Sequence, residues 1–245
     1  MWATEQLRFS LFLRDPLSIS DRDWRALTGE PESQARINVP GGKALNGPFG
    51  GGLLVLGSIA TRVDVTVSVR PEQLAAPDAE PKLPVIGPWD AVRETFVAAF
   101  RKWLVGIEVP VLRVAFGGVL LWQTEDNRQT YDRMRELLAS VTVEPNAMQD
   151  LIYRVNWPRQ SIAAPDIKLN RITTWNAMRY GINLLQASSS QLVATPTSEV
   201  FAVRLEFDNN TDASRTEPIA SDLIQPILEE LVQMALENAT QGEKP

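Results

Sequence analysis

Alternation of apolar and polar residues with a period of two is the feature that most constrains the fold of this chain. It recurs in five segments, which are residues 7–13, 63–69, 151–157, 172–180 and 201–207. Successive side chains of a strand point to opposite faces of a sheet, so the pattern predicts strands with one buried and one solvated face. Parallel sheets bury both faces of their strands, and the segments therefore favour an antiparallel sheet.

Apolar residues at intervals of three and four predict helices between these strands. The longest such segment covers residues 89–104, and shorter helices are predicted at 18–29, around 131–141 and from Pro226, which suits a first helical turn. The pattern predicts the α+β class, with an antiparallel-rich sheet and helices packed on one face. Two ferredoxin-like βαββαβ halves are the arrangement that fits this order.

The chain is long enough for one large domain or two closely packed halves. We predict an N-terminal half at 1–110 and a C-terminal half at 111–240 that share one core, followed by a frayed tail at 241–245. The glycine-rich stretch at 41–52 is predicted to be a surface loop. A proline-rich connector is expected at 71–88.

The chain contains no His and no Cys. Their absence excludes disulfides, thiolate or imidazole metal sites, a Cys nucleophile and a Ser-His-Asp triad. The sequence therefore predicts a protein that is not an enzyme, with no catalytic residue, no metal site and no cofactor.

Charge is unevenly distributed along a chain whose net charge is −6 at pH 7. Residues 152–187 contain five Lys or Arg and one Asp, whereas residues 199–245 contain ten Asp or Glu and three Lys or Arg. Opposed segments of this kind pair within one fold or between two molecules. The acidic total argues against a surface that attracts nucleic acid over its whole extent.

The first residues do not form a secretory signal, because Glu5, Arg8 and Arg14 interrupt what would be its apolar region. No segment approaches the roughly 20 apolar residues that span a bilayer. We therefore expect a soluble, cytoplasmic protein with no membrane partner.

The seven tryptophans are candidates for interface anchors, because Trp is enriched at binding hot spots. Trp2, Trp24 and Trp175 are predicted to be exposed, and Trp24 and Trp175 are predicted to form a protein interface. The leading hypothesis is a non-catalytic intracellular protein-binding subunit, either of a larger assembly or of a homo-oligomer.

An alternative function uses cations and aromatic rings on neighbouring predicted strands. Arg154, Arg159, Arg171 and Arg179, together with Trp175, would form a surface for nucleic acid or a phosphate-bearing ligand, because such surfaces stack bases and hold phosphates. We do not favour a nucleic-acid partner, since ion pairs of these arginines with the acidic C-terminal segment or with a partner protein account for the same residues.

A second alternative is a carboxylate-based, metal-dependent enzyme. Glu206 and Asp208 lie two residues apart and so share one strand face, with Asp212 nearby. Arg204 on the same face offers a plain ion pair instead. The stretch at 41–52 lacks the spacing of a phosphate-binding loop, and a ligand or partner at this stretch remains open.

Overall fold

The computed structural model describes residues 1–71, 82–188 and 191–243, with side chains described except at 39, 182–188 and 191–198. Within these residues, eleven strands form one antiparallel sheet and four helices accompany it, which confirms the predicted α+β class. The strands are β1 Ala3–Leu13, β2 Ala35–Val39, β3 Gly42–Phe49, β4 Gly52–Ile59, β5 Arg62–Ser68, β6 Gly87–Pro88, β7 Val111–Thr124, β8 Ile152–Asn156, β9 Arg159–Gln160, β10 Lys168–Ser188 and β11 Gln191–Thr211. The helices are α1 Asp21–Thr28, α2 Trp89–Leu104, α3 Asn127–Leu137 and α4 Ser221–Gln241.

The strand order explains how the two halves share one sheet. The main path runs β2-β3-β4-β5-β1-β7-β11-β10-β8, with β6 beside β1 and β9 beside β10. The first half follows strand, helix, hairpin, helix, strand, with β2 and β3 inserted before the β4–β5 hairpin, and β1 pairs with both β5 and β7. The second half repeats this order from β7 but has no closing strand of its own among the described residues. Beside β7, that place is taken by β1.

All four helices pack on one face of the sheet, as predicted. Phe9 of β1 stacks on Phe100 of α2 with 4.1 Å between ring centroids and on Phe116 of β7 with 4.5 Å. Phe207 of β11 joins the same row, 5.4 Å from Phe116. Residues from both halves thus belong to one hydrophobic core.

The prediction of a loop at 41–52 is wrong, because this stretch forms β3 and the start of β4. Its glycines serve the sheet: Gly41 and Gly50 take positive φ angles of 71° and 55° at the two turns that flank β3. Gly47 lies under Trp24, whose ring is only 2.9 Å from where a Cβ atom would stand. A glycine-rich sequence here permits tight turns and a close helix contact.

Two further predictions need correction. Helix α4 starts at Ser221, so Pro226 lies inside the helix and not in its first turn. The predicted frayed tail is packed as far as Glu243, which is 1% exposed and accepts hydrogen bonds from Ser140 and from the Tyr153 hydroxyl.

Most of the predicted connector at 71–88 lies outside the described residues. None of the helices in the described ranges combines the length and the apolar run that crossing a bilayer requires.

Gly118 provides a test of this packing, because the space above it is filled by two neighbouring side chains. A Cβ atom on Gly118 would stand 2.7 Å from Leu7 Cδ2 and 2.7 Å from Phe207 Cζ. We expect Gly118→Ala to lower the free energy of unfolding by about 1–3 kcal/mol, the usual range for overpacking. Urea denaturation measures this, with Gly57→Ala as control, since its Cβ would meet only one atom, at 4.0 Å. Equal effects of the two substitutions would contradict this account of the core.

Candidate functional site

The predicted tryptophan interface is wrong, because Trp24 is 1% exposed and Trp175 is 0% exposed. Trp24 covers Gly47 from α1. Trp175 lies beside Trp2, with 6.2 Å between ring centroids, and donates its indole hydrogen bond to Thr173 at 3.0 Å. Trp2 is buried as well, and its indole nitrogen donates to the Ala239 carbonyl at 2.7 Å. These rings are core residues that join the helices to the sheet.

The four predicted arginines do not form one surface. Arg171 is buried on the helix-covered face, where its Nε donates to Asn238 Oδ1 at 2.6 Å, and burial lowers its pKa. Arg159 contacts Glu237 of α4 at 3.4 Å. Arg154 is exposed and pairs in register with Thr174, on the opposite face of the sheet from Arg171.

Several charges of the basic and acidic segments pair within the chain. Lys168 lies 3.9 Å from Asp212, and Arg179 lies 3.6 Å from Glu199. Together with the contact from Arg159 to helix α4, these pairs show that charges of the basic segment form ion pairs with charges of the acidic segment inside one molecule. Charge asymmetry therefore gives no support to a partner.

The predicted carboxylates lie on the helix-free face without forming a metal site. Arg204 Nη1 contacts Glu206 at 2.9 Å, and Asp208 accepts a hydrogen bond from the Asn210 amide at 3.2 Å. Asp212 accepts a hydrogen bond from the Ser214 N–H at 3.0 Å, which lowers its pKa. Among the described residues, no group of three His, Cys, Asp or Glu side chains could hold a metal ion.

One cavity of about 300 Å³ lies where the β2–β3 turn meets the loop before α1. Two of its polar side chains hold that loop: Lys43 donates to the Ile19 carbonyl at 3.1 Å, and Ser58 donates to the Leu17 carbonyl at 2.5 Å. The polar groups of this cavity thus fasten the loop to the sheet, and they mark no ligand class.

The most unusual feature of the sheet is a two-stranded extension of β10 and β11. The last residue of β8 that pairs with β10 is Ile152, opposite Asn176, and β7 ends its pairing with β11 at Thr124, opposite Phe201. Beyond these points, residues 180–188 and 191–200 pair only with each other in the described part of the sheet. We call these residues the arm. Nine residues of strand correspond to about 30 Å.

The composition of the arm differs from that of the rest of the chain. Residues 180–198 contain no Asp, Glu, Lys or Arg, although 22% of all residues are charged. They include Ile182, Leu184, Leu185, Leu192 and Val193. Sequence reasoning ended one strand at residue 180 and began the next at 201, and so missed the arm. The uncharged run was the available signal.

A half-buried cluster joins the arm to the helix-free face of the sheet. It consists of Glu5 on β1, Arg204 on β11 and Tyr180 at the root of the arm. Arg204 Nε lies 3.8 Å from Glu5 Oε2. Burial raises the pKa of Tyr180 to about 12, and the Glu5 carboxylate acts in the same direction. Burial also raises the pKa of Glu5, against the opposing effect of Arg204.

No model of a known protein family matches this chain, and no curated protein matches it.

The raised pKa of Glu5 predicts a pH dependence of stability. Its folded-state pKa lies above the ordinary value of 4.5, so the folded protein holds this proton more tightly than the unfolded chain does. The stability that Glu5 contributes is therefore lost as the pH rises through its folded pKa. We expect the free energy of unfolding of the parent protein to fall relative to that of Glu5→Gln as the pH rises from about 4 to about 7.

Urea denaturation at several pH values measures this difference. Glu108→Gln is the control, because it removes a carboxylate at an exposed position that is not among the groups that shift the pKa of Glu5. A constant difference between the parent protein and Glu5→Gln over this pH range would contradict the assignment.

Proposed function

We propose that this chain is a non-catalytic, protein-binding subunit that assembles through its arm. One observation carries the proposal: the arm leaves the sheet as a ribbon of two strands with no neighbouring strand among the described residues. An isolated pair of strands is at best marginally stable in water. A partner strand along the arm would supply what the body of the protein does not.

The backbone of the arm supports this role. Every second residue along each regular stretch of the two strands directs its N–H and C=O groups away from the ribbon, and no neighbouring strand in the described part of the chain pairs with these two rows. Proteins that bind by strand addition use such rows for affinity and neighbouring side chains for specificity. The absence of charge over residues 180–198 lowers the desolvation cost of covering this surface.

We place this assembly in the cytoplasm. A chain without cysteine has no disulfide that the reducing cytoplasm could break, so its fold is compatible with that compartment. No catalytic step is part of the proposed role.

Shortening of the arm tests the proposal. Replacement of residues 183–197 by Asn-Gly connects Ile182 to Ser198, an inward-pointing pair of the ribbon, through a two-residue turn suited to hairpins. We expect the full chain to form an assembly heavier than 27.2 kDa, and the shortened chain to lose it. Its thermal midpoint should change little, because residues 180–188 and 191–200 pair only with each other in the described part of the sheet.

Light scattering after gel filtration measures both masses, alone and after affinity capture from the native lysate. Arg154→Ala is the control, because Arg154 is exposed on the sheet away from the arm and should leave the assembly intact. A shortened chain with the same mass and the same co-purifying proteins as the full chain would overturn the proposal.

A further inference from the structure

The two edges of the arm are chemically different, and the direction of the backbone groups identifies which edge is open. The Arg171 carbonyl accepts a hydrogen bond from the Trp157 N–H at 3.0 Å, on the side of β10 away from β11. These directions alternate along a regular antiparallel strand, and the extra residue of the register shift at Ile182 and Asn183 lies on β11, so the odd-numbered residues of β10 point away from β11. Asn183 and Leu185 belong to this outward series.

The outer edge of β11 is blocked by a proline. Pro196 pairs with Asn183, and because Asn183 points outward from its own strand, Pro196 also directs its nitrogen away from the ribbon. This nitrogen carries no hydrogen and cannot donate to an added strand. Glu199 adds a charge to the same strand. Proline and charge are the usual protection of an exposed edge.

Within the arm, the outer edge of β10 carries neither a proline nor a charge, since residues 180–188 contain none. From residue 177 to residue 188 it contains no proline, and Arg179 is its one charged residue. The described strand β8 leaves this edge at Asn176. Its outward N–H groups belong to Ala177, Arg179, Gly181, Asn183, Leu185 and Ala187. This edge is therefore the open side of the arm for strand addition.

We propose that a second copy of this chain pairs with this edge, so that two β10 strands run antiparallel across a two-fold axis. This inference rests on the proposed function and names its partner. Each copy has a net charge of −6, so two bodies repel, and the uncharged stretch at 180–198 is where the copies can approach. The β10 strand of one copy contains no proline, so it can serve as the strand that is added to the β10 edge of the other copy.

A two-fold axis through Asn183 places the outward N–H and C=O groups of the two β10 edges opposite each other. Gly181 then lies opposite Leu185 of the other copy, and Arg179 lies opposite Ala187, so outward groups meet outward groups along the ladder. The two copies of Arg179 are separated by about 27 Å, the length of eight strand residues, and do not repel each other strongly. Such a contact is closed and gives a dimer.

Two proline substitutions in one cross-strand pair test this edge. Leu185 pairs with Ala194, and each directs its N–H to its own outer edge, so neither substitution removes a hydrogen bond within the ribbon. We expect the parent chain to have twice the 27.2 kDa mass of one chain. Leu185→Pro should weaken the dimer by roughly tenfold or more, and Ala194→Pro should leave it intact.

Sedimentation equilibrium over a dilution series measures the dimer constants, and tryptophan fluorescence verifies that each variant remains folded. Equal effects of the two prolines, whether both dimerise or both dissociate, would overturn the assignment of the β10 edge. A parent chain that is monomeric alone, but loses a different protein when the arm is shortened, would overturn the second copy as partner and retain the proposed function. Association that survives shortening of the arm would overturn the proposed function itself.

Discussion

The pairing of β1 with β7 is the constraint on which the rest of the sheet depends. These strands lie about a hundred residues apart in the chain, yet they form its central ladder, with Phe9 directly opposite Phe116. The outer edge of β1 carries β5, and the outer edge of β7 carries β11, so both wings of the sheet extend from this one ladder. The aromatic row on its covered face receives helix α2. The first half closes with β7, and the second half, which begins at β7, closes with β1. The two halves therefore share these strands, and neither has a complete sheet alone.

Several buried polar groups of the body pair with other groups of the body. Buried Arg171 donates a hydrogen bond to Asn238. The Glu230 carboxylate accepts hydrogen bonds from two backbone N–H groups and from the Ser161 hydroxyl. Glu243, just after helix α4, accepts a hydrogen bond from the Tyr153 hydroxyl. Interactions of this kind fix helices to a sheet. The arm shows the opposite condition, with two strands whose outward groups have no partner strand among the described residues.

Period and spacing predicted much of the fold, since α2 coincides with the predicted residues 89–104 and the alternation at 201–207 lies within β11. The same reasoning failed at Trp175, whose strand face also carries Arg171 and Thr173 and so resembles a solvated surface. That face is buried because Asn238, distant in sequence, supplies a partner for the arginine. The arm was missed because Leu184 and Leu185 are adjacent and break the alternation. A partner that is distant in sequence and a strand without alternating polarity leave no local pattern to detect.

The hydrogen bond from Trp2 to Ala239 joins the residue that precedes strand β1 to helix α4. The Trp2 ring also contacts Trp122 and Trp175, which come from strands of the second half. Contacts of such long sequence separation form slowly, because the chain must first lose the entropy of closing a large loop. During synthesis the Trp2 ring therefore keeps its apolar surface exposed until the residues up to Ala239 have been made, and chaperones bind surface of this kind.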